Sequence, residues 1–246
     1  MRTKKAITAL CLLCSCQVVF GAIRVKIAKI RGEVKVRRGA EETWQRASAG
    51  TWLEEMDSIL TGKRGQVILE AQAGKTFKLG RNTILDIADL RRISERELFL
   101  FLMSCKLERI GLRERKTKLS IQEVKGEEAE LEADSLAAVA RANHEHDWLR
   151  EKNGAIALYA QDYPTNAVVK LNKILLRYPE VRDCGEIHYY LGQAFEALEK
   201  PGQAAEAYQQ VQTRSQFDYC EQPWIEEAAR ALQRSRDNVS TGNFAQ

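Results

Sequence analysis

The chain has 246 residues, of which 44% are hydrophobic and 29% are charged, and its formal net charge is +4. That length is enough for two domains of ordinary size, each with its own hydrophobic core. Six cysteines are too few for a disulfide-dense scaffold, and three histidines without a Ser-His-Asp or paired-cysteine signature do not indicate an enzyme. We therefore expect a protein without catalytic residues, cofactor or metal ion.

Residues 1–21 have the pattern of an export signal, with three basic residues, an apolar run and then small residues. Cleavage after Gly21 would release a soluble chain, whereas the stretch LCSC resembles a bacterial lipobox in which Cys16 would be acylated. An uncleaved anchor over residues 6–23 is the third alternative, because a membrane span needs about 20 apolar residues. We expect an exported protein, periplasmic, outer-membrane-associated or secreted, that meets the membrane only through such an anchor.

The sign of the charge changes along the chain. Residues 22–126 hold 23 Lys and Arg against 14 Asp and Glu, whereas residues 127–246 hold 12 against 20. A change this sharp indicates a domain boundary. We predict a β domain over residues 22–126, a connecting helix over 127–147, a helical domain over 148–236 and a flexible tail over 237–246.

The basic half consists of short runs of alternating apolar and polar residues separated by glycines. The run RVKIAKI places Val25 and Ile27 on one face, and EVKVRR repeats the pattern. Further runs begin at Trp44, Ser58, Gln66, Thr76 and Thr83. Short strands at this spacing predict an all-β sandwich or barrel. The apolar stretch ELFLFLMSCKL, residues 97–107, predicts a strand buried on both faces, with Cys105 in the core.

The tripeptide Gly74-Lys75-Thr76 has the last three letters of a phosphate-binding loop. Such a loop needs a further glycine where this chain has Leu69, and a helix must begin at the Lys-Thr. The residues that follow alternate like a strand, so we interpret Ala73-Gly74 as a hairpin turn.

The order of strands and turns in this half resembles the FecR domain, a periplasmic β domain. The matching positions are Gly32, Gly50, Leu53, Asp57, Ile59, Thr61, Gly62, Val67, Leu69, Gly74, Phe77, Leu79, Gly80 and Asn82. FecR-type regulators carry a cytoplasmic segment before a membrane helix, whereas only five residues precede the apolar run here. The resemblance therefore implies an exported β module that docks a partner or serves as a stable structural unit, without transmembrane signalling.

Helical spacing replaces alternation after Gly126. The segment from Ile187 to Leu198 carries an apolar stripe, Pro201 and Gly202 interrupt it, and a second helix follows. This pair resembles a tetratricopeptide repeat, with signature positions occupied by Leu191, Gly192, Phe195, Ala204 and Tyr208.

A second, degenerate copy precedes that pair, with signature positions at Ala155, Leu158, Ala167, Leu171 and Ile174. Gly154 stands in this copy where the family has an apolar residue. A third helix from Pro223, with Trp224, Ala228 and Ala231 in register, is expected to cap the stack.

The family resemblance implies a concave face formed by the first helix of each pair. The residues expected to line it are Lys152, Ile156, Tyr159, Tyr189, Gln193 and Glu196. A groove of this kind binds an extended peptide or a partner helix. The alternative is that the repeats serve as a rigid spacer or a dimer contact. We expect the first, an envelope protein that acts by protein binding or assembly.

Cys184 and Cys220 occupy equivalent positions before the first helix of adjacent units, and export would permit a disulfide. Equivalent points on neighbouring repeats lie about 10 Å apart, which is too far for a bond unless the loops bend inward. Both states stay open. The two histidines of His144-Glu145-His146 point in different directions on a helix, so we expect no metal site there.

An alternative function follows from the basic half. The side chains of Lys35, Arg37, Arg38, Arg91, Arg92 and Arg96 would hold an anionic glycan or another envelope polymer through weak, salt-sensitive contacts. The opposing interpretation is that these charges are solvated and complement the acidic helices. We expect no nucleic acid partner, because export removes the protein from it and no aromatic stacking set accompanies the charges.

Overall fold

The structure is a computed structural model that describes residues 23–71, 74–116, 147–216 and 219–240. Several expectations fall outside these ranges: the export signal, Ala73 of the hairpin turn, residues 127–146 of the connecting helix, the His144-Glu145-His146 cluster and residues 241–246. Within the described ranges no helix is both long enough and apolar enough to cross a membrane.

The described residues of the N-terminal half include eight strands: β1 (Arg24–Arg31), β2 (Val34–Arg37), β3 (Gln45–Arg46), β4 (Trp52–Glu54), β5 (Ser58–Thr61), β6 (Gln66–Ala71), β7 (Thr76–Leu79) and β8 (Thr83–Asp86). They make two antiparallel sheets, ordered β4-β1-β6-β7 and β3-β2-β5-β8. A single turn of 3-10 helix follows at Ile87–Leu90. Each of the alternating runs predicted before residue 90 contains a strand, and β4 is the strand that no predicted run included.

Each sheet buries one face in a common core. Val25, Ile27 and Leu69 from the first sheet and Ile59 and Leu85 from the second are at most 1% exposed. Burial of one face fixes the register, because a shift of one residue would move every apolar side chain into water.

The predicted β-sheet region and the helices that follow it are confirmed, but the expectation of a strand at residues 97–107 is wrong. These residues belong to helix α1 (Glu95–Lys116). The helix begins with a capping box, in which the Ser94 hydroxyl accepts from the Glu97 N–H and the Glu97 carboxylate accepts from the Ser94 N–H at 2.8 Å. The Ser94 backbone N–H, with Arg91 and the Ser94 hydroxyl, lowers the pKa of Glu97 to about 2. An apolar run on both faces fits a buried strand or a helix equally well, and the cap decides between them.

Five more helices follow among the described residues: α2 (residues 147–160), α3 (Pro164–Arg177), α4 (Glu186–Ala197), α5 (Pro201–Arg214) and α6 (Pro223–Ser240). Three of them begin with proline, which suits the first helical turn because its missing N–H would have no partner there. The predicted inward residues are buried except Trp224, which is half-buried, and Gly192 lies so close to the Tyr208 ring that a Cβ would meet it at 2.4 Å. Helix α6 continues through residues 237–240, the first part of the predicted tail.

Helix α2 and the turn after it cover the open edges of β7 and β8. The Gln161 amide pairs with the backbone of Lys78, accepting from its N–H at 2.7 Å and donating to its carbonyl at 2.8 Å, as a neighbouring strand would. Asn153 donates to the carbonyl of Asn82. These contacts satisfy edge groups that would otherwise be free to pair with another chain.

Helix α3 carries the buried charge of the interface between sheets and helices. The Lys170 side chain is 4% exposed, and its ammonium binds the carboxylate of Asp89 and, at 3.4 Å, that of Asp86. Burial disfavours the ammonium, but Asp89 and Asp86 outweigh it and raise the pKa of Lys170. Burial likewise disfavours the Asp86 carboxylate, but Lys170 and the hydroxyl of Ser58 lower its pKa.

Replacing Gly154 with alanine is expected to destabilise the protein. A Cβ at this position would lie 2.2 Å from the carbonyl oxygen of Ile84, so helix α2 would have to move away from β8. We expect Gly154→Ala to lower the free energy of unfolding by about 1–3 kcal/mol in chemical denaturation, the range for overpacked sites. The control is Gly202→Ala, where a Cβ meets nothing within 4 Å; equal stability of the two variants would contradict the close approach.

Replacing Lys170 with methionine is expected to cost more. Methionine retains the volume and leaves Asp89 buried without its cation, which typically lowers the free energy of unfolding by about 3–5 kcal/mol. The control is Lys173→Met, because Lys173 is exposed on the same helix and its loss is expected to change stability by less than about 0.5 kcal/mol. A loss below about 1 kcal/mol for Lys170→Met would show that the ion cluster does not hold the interface.

Candidate functional site

Helices α4, α5 and α6 line an open cavity of about 280 Å³. Three of the residues that we predicted for the groove lie there, all on α4: Tyr189, Gln193 and Glu196. The other lining side chains that matter are Tyr208 on α5 and Glu227, Arg230 and Arg234 on α6. The candidate site is therefore built on rigid helices, which hold polar groups more accurately than loops do.

The three predicted groove residues on α2 do not line this cavity. Lys152 is buried and forms an ion pair with Glu186, and its ammonium lies 5.4 Å from the centre of the Trp148 ring. Ile156 is half-buried, and Tyr159 packs edge-on against the Tyr190 ring at 6.3 Å. Lys152 therefore holds α2 to α4 and is not available to a ligand.

Hydrogen bonds fix the polar groups of the cavity. Gln193 donates to the hydroxyl of Tyr189 at 2.6 Å, and that hydroxyl donates to Glu227. The Tyr208 hydroxyl donates to Glu196 at 2.9 Å. Burial and then the hydrogen-bonded carboxylate raise the pKa of both tyrosines, so both stay protonated as donors at neutral pH.

Two arginines complete the cavity. Arg230 and Arg234 are one turn apart on α6, both are exposed, and neither forms an ion pair with a described residue. Sequence reasoning missed them, although Glu227, Arg230 and Arg234 share the spacing i, i+3 and i+7 that places residues on one helix face. Two guanidinium groups on successive turns of one helix can bind a carboxylate in a fixed orientation.

The basic residues proposed for polymer binding are mostly engaged within the β half. Lys35 forms an ion pair with Glu33 at 3.0 Å. Arg37 donates to the Ser58 hydroxyl at 3.2 Å and stacks on the Trp44 ring at 5.0 Å. Both side chains therefore already contact groups of the β half.

Arg38 and Arg91 are engaged as well. Arg38 binds Asp57, a 5% exposed residue whose pKa is lowered, against the effect of burial, by the N–H groups of Glu54 and Gly39 and by Arg38 itself. Arg91 binds Glu97 at 2.9 Å. The two residues of this set that remain exposed without an ion pair to a described residue are Arg92 and Arg96.

Cys184 and Cys220 form a disulfide, with their Cα atoms 5.5 Å apart. The distance is shorter than the repeat spacing suggests because the chain turns sharply at Cys184 and Gly185, both with positive φ, 50° and 80°. Trp224 also donates to the carbonyl of Cys184 at 3.3 Å. The bond ties the loop before α4 to the loop before α6, and these two helices carry most of the cavity's polar groups.

A second cavity, of about 270 Å³, lies between the 3-10 turn, α1 and α3. Its main polar groups already serve the interface, since Asn166 donates to the carbonyls of Asp89 and Arg91 and since Arg91 pairs with Glu97. No group of three or more His, Cys, Asp or Glu side chains in the described part of the chain could hold a metal ion. The cavity of α4 to α6 is therefore the better candidate.

Comparison of the chain with protein-family models, with curated proteins and with solved structures gives no match.

Reduction of the disulfide is expected to destabilise the helical half. The bond closes a loop across a sequence separation of 36, for which the chain-entropy relation gives about 3–4 kcal/mol. We expect a reductant to lower the melting temperature of the protein and to leave that of the double variant Cys184→Ser/Cys220→Ser unchanged. Two alkylatable thiols at these positions before reduction would contradict the bond.

Proposed function

We propose that this protein is a non-catalytic component of a bacterial cell envelope that binds an extended segment of another protein in the cavity of α4, α5 and α6. The observation that carries the proposal is the pair Arg230 and Arg234, exposed and without described ion-pair partners beside hydrogen-bonded Tyr189, Gln193 and Tyr208. A peptide segment offers both kinds of group that such a site binds, a carboxylate and backbone amides.

The wider assignment is part of the same proposal. The paired helices agree with a tetratricopeptide-like domain, and the two antiparallel sheets agree with a FecR-like module. In this proposal the protein is exported, with a cleaved signal or a lipid on Cys16, and lies in the periplasm or at the outer membrane. The disulfide between Cys184 and Cys220 is compatible with an oxidising compartment.

Binding of an anionic glycan or polymer through the β half is the second candidate. Its support is reduced because Lys35, Arg37, Arg38 and Arg91 each bind a partner within the protein. What remains for a polymer is the exposed pair Arg92 and Arg96, and two charges give weak binding that salt screens.

The test is a pull-down from envelope extract with the full chain, at low and high salt, followed by quantitative mass spectrometry. We expect a discrete protein that survives high salt with the wild-type chain and falls at least about tenfold with Arg230→Ala/Arg234→Ala. That factor corresponds to the loss of about 1.4 kcal/mol, near the lower limit for one charged hydrogen bond.

Two variants serve as controls. Lys173→Ala/Arg182→Ala removes the same charge from exposed positions outside the cavity and is expected to retain the protein. Loss of all bound material with Arg92→Ala/Arg96→Ala, with glycan and no protein in the wild-type eluate, would reject the groove and support the polymer.

A further inference from the structure

Helix α1 presents a large apolar face to solvent. Phe99, Leu100, Met103 and Leu107 are 60%, 57%, 41% and 70% exposed, and they account for four of the seven exposed large hydrophobic residues in the described ranges. Their spacing of i, i+1, i+4 and i+8 places them on one arc of the helix. The opposite side carries Leu98 and Cys105, which are 2% and 3% exposed where α1 packs against α3.

The size of this face indicates an interaction surface. Its four side chains expose roughly 400 Å² of apolar area, which is within the range of the largest and often functional patches on monomers. Single exposed hydrophobic residues need no explanation, but four on one arc of a helix do. Nothing in the described part of the chain covers them.

We propose that a second copy of this chain covers the face, through an antiparallel contact of α1 with α1 about a two-fold axis at Met103. The face is self-complementary, because Phe99 and Leu107 lie four residues to either side of Met103. A half-turn about that axis places Phe99 of one chain against Leu107 of the other and Met103 beside its copy. This is the isologous arrangement that a two-fold dimer requires.

Helix geometry fits this contact. Residues 99, 103 and 107 form one i±4 ridge, and ridges of this kind from two helices interlock at a crossing angle of about −50°. Such a crossing limits the contact to a short length, and eight residues of helix span about 12 Å. The ridge formed by residues 99, 103 and 107 is therefore about as long as the α1–α1 contact.

Area and charge favour a second copy over a membrane. Two such faces together bury roughly 800–1,000 Å², which is below the standard range of about 1,200–2,000 Å² and typical of weak, transient interfaces, so we expect a weak dimer that forms at micromolar concentrations of the chain. Helix α1 as a whole holds six Lys and Arg against four Glu, a small excess. An interfacial helix needs a strongly charged face opposite its apolar face, whereas the opposite side of α1 carries Leu98 and Cys105 and packs against α3.

The test is the mass of the full chain over a range of concentration, by light scattering and sedimentation. We expect the weight-average mass to rise towards twice the chain mass as concentration increases to about 100 µM, as micromolar affinity requires. Leu107→Lys should keep the chain monomeric throughout, because it places a cation against Phe99 of the second copy. Ser104→Lys, on an exposed position outside the apolar arc, should dimerise like wild type.

A cross-link locates the axis. Met103→Cys should form a disulfide-linked dimer under mild oxidation, because each chain's Cys would face its copy, whereas Ser104→Cys should give little. A chain that stays monomeric, or dimerises unchanged with Leu107→Lys, would overturn the proposal. So would a monomer that sediments with phosphatidylglycerol vesicles and loses that binding in Leu107→Lys.

Discussion

The buried ammonium of Lys170 fixes how the helices sit on the sheets. An isolated charge in this environment would cost several kcal/mol, and the structure offsets the cost with Asp89, with Asp86 and with the hydrogen bonds that orient these carboxylates. The ion cluster tolerates little displacement, since a small shift would leave a carboxylate without its cation. Helix α3 is therefore held in one position on the 3-10 turn and β8.

The position of α3 determines the geometry of the cavity formed by α4, α5 and α6. Helix α4 packs on α3, α5 packs on α4, and α6 packs on α5. A displacement of α3 would therefore displace each helix that follows it. Two further contacts hold these helices together. The ion pair of Lys152 with Glu186 joins α2 to α4, and the disulfide between Cys184 and Cys220 joins the loops before α4 and α6. If the cavity binds a peptide as proposed, the β half contributes to that binding without a ligand of its own, because it orients the first helices of the stack.

The strands and helices could be predicted where one face is buried and the other is exposed to solvent. The period of the apolar residues then distinguishes a strand from a helix. Helix α1 broke that rule, since its exposed face is as apolar as its buried face. The Ser94-x-x-Glu97 cap would have identified it. Gly154 shows the opposite case, a departure from the repeat pattern that is explained by contact with Ile84 rather than by loss of structure.

The lining of the candidate cavity could be predicted only in part, because the sequence does not show which charged side chains pair with each other. The register of α4 predicted Tyr189, Gln193 and Glu196, but no pattern showed that Lys152 binds Glu186, 34 residues away. Pairing over such a distance depends on the packing of whole helices, and it decides which charges remain for a partner. The same reasoning separates Arg230 and Arg234 from the engaged arginines of the β half.

The two proposed surfaces can work together. No residue of α1 lines the cavity of α4 to α6, so a dimer formed through α1 leaves both grooves open. Two grooves on one rigid dimer make the second binding event intramolecular when the partner is itself multivalent, and overall affinity can then rise by about 10²–10⁴ without a new contact. A single groove of modest affinity would suffice under these conditions. Dimerisation through α1 would then raise the overall affinity for the partner, although no residue of α1 contacts it.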